Sequence, residues 1–67
     1  MNEREKLKTL LCHWQEHNHE HAEVYLEWSK KAFESGDKEL SRILVSLYEE
    51  TEKLDKFFHK ALSLSER

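Results

Sequence analysis

Leu7, Leu11, Trp14, Asn18, His21, Tyr25, Trp28 and Ala32 follow one another at alternating steps of four and three. That is the spacing of a helix packed along its whole length. Asn2 with Glu5 three residues later makes a capping-box variant that starts this helix, which is predicted over about 3–35. Ser35-Gly36-Asp37 breaks the pattern. Gly36 suits the left-handed position that ends a helix, and Asp37 can cap the next one. A second stripe then carries Leu40, Ile43, Leu44, Leu47, Thr51, Leu54, Phe57, Phe58, Ala61 and Leu62, predicting helix two over about 38–65. The fold class that follows is all-α: one antiparallel two-helix hairpin domain over residues 1–67.

Equal rise on two antiparallel helices makes facing residue numbers add to roughly 72 when the turn is centred near Gly36. Leu11 then lies near Ala61, Trp14 near Phe58, Trp28 near Leu44, His13 near His59, and His21 beside Glu50 and Thr51. Two helices alone leave Trp14, Trp28, Phe57 and Phe58 half covered. The expectation is a homodimer in which two hairpins form a four-helix bundle.

Composition narrows the function classes. A core of 67 residues rarely supplies more than about 3–5 kcal/mol without a disulfide, a metal or a partner. Cys12 is the one cysteine, so no internal disulfide forms. The formal charge of -3 has interspersed signs and shows no basic footprint for nucleic acid. No apolar run approaches the roughly 20 residues of a membrane span. The opening residues lack the apolar stretch of a signal peptide, which points to a cytoplasmic chain.

The polar residues of helix one carry the chemistry. Four of the five histidines fall between positions 13 and 21, and His13, His17 and His21 recur every four residues. They form one row on a helix flank, and two imidazoles one turn apart can grip a single ion. His13 and His21 are separated by roughly 12 Å along the axis, too far for one ion. The pair His17 and His21 lies nearer the interior, and Glu50 of helix two falls on the same flank. His17, His21 and Glu50 are therefore the expected metal ligands, with His13 and Glu20 in reserve. Imidazole with carboxylate suits zinc, nickel, cobalt or iron and not calcium or magnesium. Burying Asn18 and His21 unsatisfied costs on the order of 1–3 kcal/mol each, so a cross-helix hydrogen bond, a water or a metal is needed.

Other motif matches are weaker. His13-Trp-Gln-Glu16-His17 and His17-Asn-His-Glu20-His21 fit an inverzincin pattern that any helix rich in His and Glu produces by chance. Glu16-His-Asn-His19 fits the Glu-x-x-His element of di-iron bundles, but helix two has no second copy. Cys12, Glu16, His19 and Glu23 form a row that points away from the stripe. A hairpin this short offers no substrate cleft, so the expectation is not an enzyme.

The run Trp14-x-Glu16-His17-Asn18-x-x-His21-Ala22-x-x-Tyr25-x-x-Trp28 resembles a short helical-hairpin domain of anaerobic bacteria and archaea. That domain is associated with small nickel-binding accessory proteins of the carbon monoxide dehydrogenase maturation type. The resemblance implies a nickel or zinc site with His17 and His21 as ligands, and a metalloenzyme-maturation partner. The expected function is a small transition-metal-binding helical protein acting in storage, delivery or sensing. The alternative is a protein-interaction hairpin whose histidines are interface or pH-switch residues.

Overall fold

The computed structural model describes residues 2–66; Met1 and Arg67, which the expected single domain includes, lie outside the described residues. Three helices follow in order: α1 (Glu3–Glu34), α2 (Lys38–Lys53) and α3 (Asp55–Ser65). There is no strand among the described residues. The molecule is a helical hairpin whose second arm bends where α2 meets α3.

The ends of the arms are set by local chemistry. The Asn2 side chain accepts from the Glu5 N–H at 2.8 Å, satisfying one of the free donors of the first turn. At the other end, Gly36 N–H donates to the Phe33 carbonyl at 3.0 Å and Asp37 N–H to the Ala32 carbonyl at 2.9 Å. This is a Schellman pair. It requires positive φ at the residue after the cap, and Gly36 has φ 92°. Asp37 then accepts from the Leu40 N–H at 3.1 Å to open α2. The carbonyl end of α3 is covered from the other arm, where Arg4 donates to the carbonyls of Leu64 and Ser65 at 3.0 and 3.2 Å.

Cross-arm pairs fix the register. Arg4–Ser65, Gln15–Asp55, Asn18–Thr51, His19–Glu52 and Ser29–Ser41 have numbers adding to about 70, close to the value expected for equal rise. Leu11 and Ala61 line one groove, and Trp28 and Leu44 another, as that register requires. His13 and His59 do not meet, because His59 pairs with Asp55 at 2.8 Å and lies 3.3 Å from the Gln15 amide.

The predicted second helix was unbroken; the structure bends it at Leu54. There the N–H turns to the Thr51 carbonyl, three residues back. The Asn18 amide donates to that same oxygen at 2.8 Å. A side chain inserted into the backbone ladder is a recognised cause of such a bend. It also answers how Asn18 is satisfied in the seam: by a cross-helix hydrogen bond. Among the described residues, no buried side-chain nitrogen or oxygen lacks a partner.

The packing separates what the sequence pattern merged. The seam between the arms runs through Leu11, Gln15, Asn18, Ala22, Tyr25, Ser29 and Ala32 of α1, all buried or half-buried. It meets Ser41, Leu44, Tyr48, Thr51, Asp55, Phe58, Leu62 and Ser65 opposite. Both sets keep the three–four spacing of a helix–helix seam. Small residues dominate where the arms approach most closely, and the Ser41 hydroxyl donates to the Ser29 carbonyl at 2.7 Å in the buried interior.

A second heptad stripe lies beside the first on each arm, and all of it but the half-buried Ala61 is exposed. On α1 it is Leu7, Leu10, Trp14, His17, His21, Val24 and Trp28; on α2 and α3 it is Leu40, Ile43, Leu47, Glu50, Leu54, Phe57, Ala61 and Leu64. Its large apolar members are 40–62 % exposed. The two outer stripes share one face, since Leu7 lines a groove with Leu64, and Trp28 lines another with Leu40. The stripe read from the sequence alternated between the two sets. Leu7, Trp14, His21 and Trp28 are outer; Leu11, Asn18, Tyr25 and Ala32 are inner. The hairpin is 51 Å long and 10 Å in its thinnest dimension, a single layer of helices.

Candidate metal site

The histidine row stands on the outer stripe, at the middle of its length. His17 and His21 interrupt the run from Leu7 to Trp28, and Glu50 interrupts the run from Leu40 to Leu64. The register near 70 puts Glu50 level with residue 20. The three polar side chains therefore form a belt across an otherwise apolar face.

All five histidines are exposed. His13 Nε2 and His17 Nε2 lie 2.9 Å apart, one protonated nitrogen donating to the lone pair of the other. Their ring centroids are 4.5 Å apart. Two nitrogens each about 2.0–2.1 Å from one ion lie roughly 2.9 Å apart at a right angle and 3.4 Å apart at a tetrahedral angle. The His13–His17 spacing matches that of two ligands on one ion at a right angle; ligation needs the bridging proton moved to the ring's Nδ1 and both lone pairs turned to a common point. His17 and His21 are more open, with centroids 6.5 Å apart. His21 stacks on Tyr25 at 6.2 Å, which holds its ring along the helix.

Neither Glu50 nor Glu20 joins the row of His13, His17 and His21. Glu50 pairs with Lys53 at 3.1 Å, and Glu20 is exposed on the far side of the row. Among the described residues, no three of His, Cys, Asp and Glu converge to hold an ion. The structure brings His13 and His17 together, places His21 one turn on, and leaves Glu50 and Glu20 apart from them.

The remaining histidines serve the opposite flank. His19 lies 3.1 Å from Glu23 and 3.3 Å from Glu52, bridging α1 to α2. Asp55 accepts from Gln15 at 2.9 Å and pairs with His59. Glu52 and Gln15 were not singled out from the sequence. The signal was there, because Gln15 and Asp55 occupy matching seam positions that need a polar partner. Cys12 is a free, exposed thiol, and no described helix is long and apolar enough to cross a membrane.

Residues 7–65 match the model of DUF8180, a domain of unknown function, and the chain belongs to that family. No curated protein and no solved structure matches the chain.

Proposed function

We propose that this chain is a small helical protein that binds a transition metal, nickel or zinc, for storage, delivery or sensing and not for catalysis. The observation that carries the reading is the His13–His17 nitrogen pair, 2.9 Å apart within a row of three imidazoles. His17 is the central ligand, because each of the other two is one turn away from it. His21 and Glu50 are the further ligands across the belt, and His13 shares the ion with His17 when the row closes from its outer end. Glu20 orients an imidazole from outside the row. The donor set of imidazole with carboxylate is of borderline softness, matching nickel or zinc. In a cell, the ion would be passed to or from a metalloenzyme-maturation partner, as the resemblance of the Trp14–Trp28 run implies.

Calorimetric titration of Ni(II) and Zn(II) into chelator-stripped protein tests this. Micromolar or tighter binding is expected, weakened at least tenfold by His17→Ala and by His21→Ala and unchanged by His59→Ala. Equal loss from all three substitutions, or no binding at all, would remove the assignment.

A second reading is favoured by one observation, the bare apolar heptads on either side of the histidines. In it the hairpin is a protein-interaction module, and protonation of the belt's imidazoles switches its association. Self-association followed against pH in chelator separates the two: a change there without metal favours the second.

A further inference from the structure

We infer that a second copy of this chain covers the outer face and completes the metal site, so that the ion is held between two chains. For the ion, this rests on the metal-binding reading above; for the partner, it rests on the packing alone.

The hairpin by itself has almost no core. Among the described residues, the buried side chains are Leu11, Ala22, Ala32, Ser29 and Ser41, and no large side chain is fully enclosed. A single layer of helices must bury its apolar side against another layer. The residues on that side are the largest of the chain, with Trp28 at 54 % and Phe57 at 62 % exposed. About ten such side chains with roughly 80 Å² bare on each give ~800 Å² per copy, the share each partner contributes to a standard stable interface.

The spacing says what kind of partner. Both outer stripes keep three–four steps from end to end, the seam spacing of helix packed on helix, and the belt of His17, His21 and Glu50 in mid-face would be left unpaired against lipid. The face is apolar on both sides of its polar belt. Leu7 and Trp28 lie twelve and nine residues from the midpoint of His17 and His21, and Leu40 and Leu64 lie ten and fourteen residues from Glu50 on the other arm. A two-fold axis through the belt, across the helices, lays apolar halves on apolar halves and one belt on the other. That self-complementarity is the property of an isologous interface.

Burying the belt creates a demand that the ion meets. Each chain brings His17, His21 and Glu50 into a space where unpaired polar groups are costly. Within one chain His17 and His21 stand one turn apart with ring centroids at 6.5 Å, and among the described residues no third ligand completes a site with them. The partner subunit's His17 and His21 bring the number to four, enough to close a tetrahedral shell. The two Glu50 carboxylates are the further ligands where the ion takes more than four, and they offset its charge. Ion binding and dimerisation then reinforce one another, since the ion binds only the paired state.

Sedimentation equilibrium of the whole chain, with excess EDTA and with Ni(II) or Zn(II), reads this out. The dimer dissociation constant is expected to fall at least tenfold with metal, at one ion for every two chains. Leu47→Lys, on the outer stripe and not a ligand, should yield a monomer that binds the ion at least tenfold more weakly while circular dichroism shows the same helix content. Ile43→Glu gives the same reading from a second position. A monomer holding one ion, with affinity unchanged in Leu47→Lys, would overturn the shared site and leave the metal-binding reading standing. A dimer that is identical with and without metal, and binds none, would remove both.

Discussion

Asn18→Asp tests the bend and the seam together. In the native chain the Asn18 amide donates to the Thr51 carbonyl at 2.8 Å, in a half-buried position of the inner stripe. The substitution keeps size and shape but replaces the donor with a carboxylate oxygen. Two acceptors then face each other where one hydrogen bond stood. Losing the bond costs about 1 kcal/mol, and leaving a partly buried acceptor without a donor adds roughly 1–2 kcal/mol. The Thr51 carbonyl itself is not orphaned, because the Leu54 N–H still reaches it at 3.2 Å. The expected total is about 2–3 kcal/mol, which for a domain of this size lowers Tm by roughly 10–20 °C. The pH dependence has a defined sign. Facing a carbonyl, the introduced carboxyl is held above the usual carboxylate range of about 3.9 in the folded state. Its penalty is complete at neutral pH, and it shrinks as the pH falls through that raised folded value, where the protonated acid donates to Thr51 as the amide did. Thermal melts by circular dichroism, native and variant side by side at pH 7 and pH 4, in chelator and at one protein concentration, measure the deficit. Comparison at each pH cancels the titration of every other group. A variant as stable as the native chain at pH 7, or a deficit that does not shrink at pH 4, would refute the role given to this hydrogen bond.

Two further outcomes are expected. Gly36→Ala meets no neighbouring atom within 4 Å, so its whole effect is the backbone at φ +92°; a cost of about 1–2 kcal/mol should appear as a Tm lowered by roughly 5–10 °C, and an unchanged Tm would contradict the Schellman end of α1. If the row binds metal as proposed, affinity should fall as the pH is lowered, because imidazole ligates only in its neutral form and the ion competes with protons; calorimetric titrations at about pH 7.5 and pH 5.5 measure the loss, and equal affinity at both would exclude imidazole as ligand.

Much of the hairpin is legible in the sequence because it is locally encoded. Asn2 caps α1, Gly36 ends it and Asp37 opens α2, each through hydrogen bonds within a few residues. The register follows from the turn and from equal helical rise. The bend is not legible in the same way. Thr51 and Asp55 are weaker helix formers than Leu54 but too common within helices to mark a bend, and the contact found there, Asn18 of the other arm on the Thr51 carbonyl, is a long-range one. Likewise the histidine cluster is visible as a row, while the closeness of His13 to His17 compared with His21 depends on ring orientation, with His21 drawn onto Tyr25.

The misread stripe has a physical reason that bears on function. A helix with two adjacent heptads must choose which of them closes the hairpin, and periodicity cannot choose, since both have it. Side-chain size does. Ala22, Ser29 and Ala32 against Ser41 let the arms approach closely, gaining backbone-level packing and the buried Ser41–Ser29 hydrogen bond. Trp14 and Trp28 would hold the arms apart if they stood in that seam. They stand instead on the outer face, about half exposed and clear of that seam. His17 and His21 share the register of the tryptophans and not that of the small residues. Whatever buries Trp14 and Trp28 therefore also takes the two imidazoles out of water, together with Glu50 at the same level, and the chemistry of the belt is tied to the covering of this face.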